Sequence, residues 1–400
     1  MACLVLHNGT AILQDALLAD ALVLVEDGRI ASVMSGTPVP RSYGSLIDLA
    51  GGYVAPGFVD LHVHGGAGAD FMDGTPEAFA SVCRAHARHG TTSLTPTSTV
   101  ARHDQTLRFL ELCRRFRDES TGGARVLGGH LYGPYFAPDA RGCHPAADLR
   151  PPTPADYEPF LAFAGDGLLT ATIAPELPGA DAFVRACRSR GVRCNAGHSF
   201  ATFEQMAAAV SWGVRHVDHL FCAMSDRARL RQTQTYPMRG GVMEATLFFD
   251  ELTTEVIADG KHLQGELLKL AYKVKGPDRL TLVTDCMRAL DMPDGEYLFG
   301  PLDGGERVRR ADGVGITLDG TALASGVTGL DHAVRTFHRL TGVPLPEVVR
   351  MASLTPARVL GLENEIGSLA AGKRADLVVL DRELEVRQVF VGGERMPLAA

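Results

Sequence analysis

One stretch constrains this chain more than any other: Phe58-Val59-Asp60-Leu61-His62-Val63-His64, followed at once by Gly65-Gly66. Successive side chains of a β-strand leave opposite faces. His62 and His64 therefore project together with Asp60 behind them, while Val59, Leu61 and Val63 project the other way. An apolar strand face has to pack on helices. The opposite face then carries two imidazoles at the strand's end, an arrangement suited to a divalent metal. The structural alternative is a pair of buried histidines satisfied by neighbouring carbonyls. Where the other polar residues fall decides between the two.

Downstream, strand-like apolar runs alternate with helical stretches, the pattern of a parallel α/β architecture. The alternation predicts strands at 58–64, 92–97, 125–131, 169–174, 192–196, 215–219, 254–259 and 280–285. Helices such as Pro76–His89, Asp104–Arg117, Asp181–Arg190 and Thr202–Trp212 separate them. Eight strands favour an α/β fold of the closed (β/α)8 TIM-barrel type, whose chemistry lies at the carboxyl ends of its strands. A doubly wound open sheet is the alternative, but no Gly-X-Gly-X-X-Gly follows the first strand.

Both ends of the chain read differently, as short strands with turns. Asp27-Gly28 between apolar runs is a hairpin signal. Neither end has enough strands for a stable sheet alone. We therefore expect residues 1–53 and 357–400 to pair into one small discontinuous β-sandwich domain beside a barrel of residues 54–356. The Gly- and Asp-rich stretch from Pro293 to Thr321 reads as an excursion of turns or a hairpin.

Composition excludes several classes of function. A net charge of −8 argues against a nucleic-acid surface, and an apolar fraction of 46% is ample for a full core. No apolar run is long enough to span a bilayer, and Met1-Ala2-Cys3 opens no basic-then-apolar leader. The eight cysteines are scattered without a Cys-X-X-Cys pair, which is the usage of a reducing compartment. A soluble cytoplasmic protein with no nucleic-acid or membrane partner is the expectation.

The polar residues then converge. His62 and His64 end the first strand, Tyr132 the third, His219 the sixth and Asp285 the eighth, while His198 follows the fifth. Imidazoles and a carboxylate on one barrel rim point to metal-assisted hydrolysis: the ion polarises a carbonyl and eases deprotonation of water, and a nearby base takes the proton. Asp285 is the natural base. Amide, urethane and amidine substrates all suit this machinery.

These blocks resemble the amidohydrolase superfamily and, within it, the N-acetylglucosamine-6-phosphate deacetylase branch. The resemblance rests on Pro56 through Gly66, Ala174-Pro175-Glu176, Gly197-His198-Ser199, His219 through Met224, Ala258 through His262, Leu282 through Asp285, and Gly372 through Val378. It implies metal ligands at His198 and His219, a second metal position at His62 and His64, and an acid/base at Asp285. It also implies substrate contacts at His144 and His262, and a homodimer.

Three departures stand out. Where the branch carries a metal-ligating Glu after the third strand, this chain has Tyr132; where it carries Asn beside Ala223, this chain has Cys222. Its phosphate-binding loop is replaced by Tyr236-Pro237-Met238-Arg239-Gly240-Gly241, with Arg227, Arg229 and Arg231 nearby. A phenol is a poor substitute for a carboxylate ligand. One divalent ion is therefore expected, zinc first, with Fe2+, Mn2+ or a second ion as alternatives. His62, His64, His198 and Asp285 would hold it, leaving His219 to polarise the carbonyl. Glu176 and Glu244 are candidates to replace the lost carboxylate, and Cys143, Cys222 and Cys286 candidate thiolates. Tyr132, Cys222, Ala223 and Arg239 join His144 and His262 as expected substrate contacts. The reading is a metal-dependent amidohydrolase acting on an N-acetylated amino sugar, phosphorylated or not. The alternatives are another C–N hydrolase or deaminase, or a silent ligand-binding paralogue.

Overall fold

The computed structural model describes residues 3–36, 44–233 and 236–398. Eight parallel strands form its centre: β1 (Phe58–Val63), β2 (Thr91–Pro96), β3 (Gly129–Leu131), β4 (Leu168–Ile173), β5 (Arg193–Ala196), β6 (His216–Val217), β7 (Thr253–Ile257) and β8 (Leu280–Val283). A ladder joins β1 to β2, and another runs from β3 to β8 in sequence order. Two seams close the cylinder. Thr97 bridges His130, and Val63 bridges Cys286 while the Asp285 N–H donates to the His62 carbonyl at 2.9 Å.

The alternation in β1 works as its sequence implies. Val59 and Leu61 pack outward with Ala357 and Leu360 of the helix Leu354–Leu360. Asp60 faces inward and accepts from the Thr284 hydroxyl at 2.7 Å. The helices Pro76–Arg88, His103–Asp118, Ala180–Ser189 and Phe203–Trp212 lie within one residue of expectation at each end.

The strands are shorter at their carboxyl ends than periodicity implies. β6 stops at Val217 and β8 at Val283, and the stretch 125–131 is two short strands broken around Leu127 and Gly128. The reason is backbone geometry. His198, His219 and Asp285 have φ of 45°, 25° and 44°, a left-handed region that costs a non-glycine residue of order 1 kcal/mol and persists only where the surroundings impose it. The chain turns at each of these residues, which lifts their side chains onto the rim.

Strands from both chain ends form two further sheets. One has the order 29–35, 21–26, 3–7, 45–48; the other runs 394–395, 386–391, 377–380, 53–56, 10–12, 17–18. Leu377–Leu380 pairs antiparallel with Tyr53–Pro56, so the two ends share a sheet. Leu4, Leu6, Val23 and Val25 from the first sheet meet Leu377, Val379 and Phe390 from the second in one apolar core. Asp27 and Gly28 turn the expected hairpin, both with positive φ. Arg125 clasps Asp376 with two hydrogen bonds, at 2.9 and 3.3 Å, tying the barrel to this region.

The stretch after β8 folds as a three-stranded antiparallel sheet, Gly295–Phe299, Glu306–Ala311 and Val314–Thr317. No described helix is long and apolar enough to cross a membrane. His86 and His89, at the carboxyl end of the first helix, are both tied into the structure. His86 is fully buried with its Nε2 3.0 Å from the Gly65 carbonyl, and burial pushes it down to about 4.

His89 sits between Asp331 and Asp291, each at 3.0 Å, and so joins that helix to the helix Leu330–Thr341. Burial opposes its charge, but the two carboxylates prevail and push it up to about 9. A raised imidazole stabilises the fold fully below its unfolded value near 6.5, and that contribution is lost as pH rises through about 9. His89→Gln should therefore cost about 1–2 kcal/mol at pH 6, allowing for the solvent that reaches the network. The gap to wild type in urea unfolding should close by pH 9.5. A gap that does not vary with pH would contradict the ion-pair account.

Candidate active site

At the carboxyl rim, ligand atoms of His62, His64 and Asp285 all lie within 4.8 Å of one another, and all three residues are buried. Asp285 Oδ1 is 3.2 Å from His64 Nε2 and 3.5 Å from His62 Nε2. The far side of each ring is anchored. His64 Nδ1 is 3.2 Å from the Thr97 carbonyl, and His62 Nδ1 is 2.6 Å from Glu255 Oε1. His62 Nε2 has no hydrogen-bond partner although no water reaches it. A buried ring nitrogen left open beside a second imidazole and a carboxylate fits a divalent cation.

The electrostatics agree. Burial opposes charge on His62, yet Glu255 and then Asp285 push it up to about 9. Burial also opposes ionisation of Asp285, but His62, His64 and His219 hold its carboxyl well below the usual range. Glu255 behaves likewise, held low by His62 and His216. A pocket that favours a proton between two carboxylates favours positive charge there generally.

His198 stands outside this triad. Its Nδ1 is 2.6 Å from the Ala140 carbonyl, and its Nε2 faces His219 Nε2 at 3.3 Å. Tyr132 Oη is 2.6 Å from the same His219 nitrogen. Burial, with Asp218, Asp285 and Glu255 adding to it, pushes the Tyr132 phenol well above its ordinary value. It is neutral. His198, His219 and Tyr132 thus cluster without a negative charge, so this side of the rim offers a second cation nothing to offset its repulsion with the first.

Neither proposed replacement carboxylate is available. Glu176 accepts from Ser199 Oγ and the Phe200 N–H, both at 2.6 Å. Glu244 accepts from the backbone N–H groups of Arg227 and Gly241. Both cap loops. No cysteine joins a ligand-like group among the described residues, and burial raises the Cys143 and Cys222 thiols, the latter to about 12, and the buried Cys286 thiol well above its ordinary value. A second ligand-like group, His216, Asp218 and Glu255, lies deeper in the barrel. It is already satisfied: Thr172 and Asn195 donate to Asp218, and Thr253 is 2.7 Å from His216 Nδ1.

The triad opens into a cavity of about 360 Å³, within the range of small-molecule sites. His144, His262, Cys222 and Ala223 line it, as do Tyr132, His198 and His219. The Val100 N–H reaches His144 Nδ1 at 3.3 Å, so neutral His144 carries its proton on Nε2. Asp259 Oδ2 holds His262 Nδ1 at 2.7 Å. Arg239 is exposed and does not line the cavity. Arg229 stacks on Phe200, a lining residue, at 4.3 Å and brings positive charge to the edge.

Two contributors escaped the sequence reading. Glu255 is a carboxylate between Thr254 and the apolar run Val256-Ile257-Ala258 of a buried strand, which is itself a signal of function. Phe299, from the antiparallel excursion, packs its ring 5.0 Å from both His64 and His144 and walls the cavity.

Comparison with known proteins gives a consistent picture. The amidohydrolase family profile matches residues 53–396. An N-acetylgalactosamine-6-phosphate deacetylase of Escherichia coli O157:H7 is 34% identical over 394 residues, 98% of each chain. An N-acetylglucosamine-6-phosphate deacetylase of Vibrio furnissii is 31% identical over 94% of this chain and 90% of its own. Among solved structures, a mutant N-acetyl-D-glucosamine-6-phosphate deacetylase of Mycobacterium smegmatis in complex with N-acetyl-D-glucosamine-6-phosphate superimposes with a TM-score of 0.88. Its identity is 31%, and 99% of each chain is covered.

If the phenol is what limits the rim to one ion, Tyr132→Glu should raise bound divalent metal from about one to about two per chain. Elemental analysis of protein purified without chelator measures this. An unchanged stoichiometry would remove Tyr132 as the cause.

Proposed function

The chain belongs to the amidohydrolase family, whose members depend on metal, and from that premise we propose that it deacetylates an N-acetylhexosamine 6-phosphate. One observation carries the reading: the buried triad of His62, His64 and Asp285, with an unpartnered His62 nitrogen, opens on a sugar-sized cavity. Relatives matched over nearly their whole length act on either the galactosamine or the glucosamine compound. Both epimers are therefore candidates.

His62, His64 and Asp285 would hold one divalent ion, with zinc the first expectation for two imidazoles and a carboxylate. When bound, such an ion supplies Lewis acidity at the scissile carbonyl and lowers the pKa of water. The chain's own residues do the rest. Asp285, kept anionic by the surrounding imidazoles, accepts the proton of the attacking water and later hands it to the leaving amine. His219, across the rim, polarises the carbonyl, with Tyr132 Oη fixing its ring from 2.6 Å. His144 offers an Nε2–H to a sugar oxygen, and His262, oriented by Asp259, offers another contact. No Lys or Arg is among the described residues that line the cavity. The phosphate therefore lies towards the edge where Arg229 stands, or is met by a second copy in a homodimer.

Acetate release from N-acetylglucosamine and N-acetylgalactosamine 6-phosphates, measured beside their unphosphorylated parents, tests the substrate class. Turnover confined to the unphosphorylated sugars, or absent from the whole panel, would refute it. Asp285→Asn, assayed at saturating Zn2+, should lower kcat by about a thousandfold or more. Substantial residual turnover would remove Asp285 as the proton carrier.

A further inference from the structure

Glu255 lies in the centre of β7, 1% exposed, and takes no part in the steps above. One of its oxygens, Oε1, faces two groups: His62 Nδ1 at 2.6 Å and the His219 backbone N–H at 3.2 Å. The other, Oε2, is 3.2 Å from His216 Nε2. A single carboxylate thus links β1, β6 and β7 directly beneath the rim.

Two consequences follow from elementary chemistry. A carboxylate accepting at Nδ1 fixes the proton there, so that neutral His62 presents its Nε2 lone pair outward, where the structure leaves that atom unpartnered. Charge is the second consequence. One divalent ion among neutral imidazoles, a neutral phenol and Asp285 alone would leave a net positive charge in a buried site. Glu255 supplies a further negative charge, one ring away, that offsets it.

We propose that Glu255 is the positioning and counter-charge residue of a single-ion site: it sets the His62 tautomer and supplies the charge that the Tyr132 side of the rim lacks. The inference rests on the metal-hydrolase reading, but it concerns ion retention rather than the chemical step.

The experiment is competition for Zn2+ between the protein and a chromophoric chelator. Glu255→Gln keeps the shape and an oxygen acceptor for the His62 N–H but removes the charge. Its affinity for Zn2+ should fall by about 10- to 100-fold. Glu255→Asp keeps the charge but shortens the reach, and should lie between the two. An affinity for Zn2+ within about twofold of wild type in folded Glu255→Gln protein would overturn the proposal. Wild-type protein provides a second test that needs no variant at Glu255. In 15N-histidine spectra of the Zn2+-loaded enzyme, His62, assigned by its loss in His62→Asn, should carry its proton on Nδ1; a proton on Nε2 would overturn the proposal. Failure of the underlying reading looks different: wild type itself would bind no Zn2+, or His62→Asn would bind it as tightly as wild type.

Discussion

A buried imidazole held between two carboxylates organises the open end of this barrel. His62 touches Glu255 on one side and Asp285 on the other, and all three are buried, with Asp285 alone reaching the cavity. Charges placed in such a setting are costly unless they compensate one another. Removing any one of them strands its neighbours, so the trio acts as a unit. Strand order makes the arrangement possible. The closed cylinder sets β8 beside β1, and the layer of inward side chains brings Glu255 of β7 under His62 of β1.

Seen from that trio, the replacement of a ligating carboxylate by Tyr132 is a redistribution. The phenol joins His198 and His219 in a cluster that carries no negative charge, while the negative charges gather around His62. Two halves of the same rim therefore have opposite electrostatic character. One half attracts a cation, and the other presents ring edges, a hydroxyl and imidazole nitrogens to a polar, uncharged group such as an amide. The left-handed backbone at His198, His219 and Asp285 serves both halves, because each of those side chains reaches the rim only through a turn that ordinary strand geometry would not make.

Much of this was legible in the amino-acid order, and for a physical reason. Local periodicity reports local structure: the alternation from Val59 to Val63 foretold an outer face against helices and an inner polar face, and Asp27-Gly28 foretold its hairpin. The ligand candidates His62, His64 and Asp285 could be picked out because rim residues follow strands directly. What stayed hidden depends on partners far away in the chain. Glu255 and His62 are 193 residues apart, and no local pattern reveals that pairing. His86 looks like a surface residue on an amphipathic helix until the Gly65 carbonyl is found above it. Glu176 and Glu244 read as spare ligands until their oxygens are seen capping backbone N–H groups. Strand ends were overextended at β6 and β8, since composition does not announce where a backbone enters the left-handed region.

The antiparallel sheet inserted after β8 has one more implication. It closes one side of the cavity with Phe299 but donates no atom to the His62–His64–Asp285 group. Its first strand is tied to the barrel where Asp70 accepts from the Gly300 N–H and Arg288 donates to the Leu298 and Gly300 carbonyls, while a two-residue turn joins the second strand to the third. A substitution at Phe299 would redraw that wall while leaving the His62–His64–Asp285 group its own atoms. The wall and the reactive group thus lie on separate segments of the polypeptide, which makes Phe299 the natural place for an engineer to begin altering the shape of the cavity.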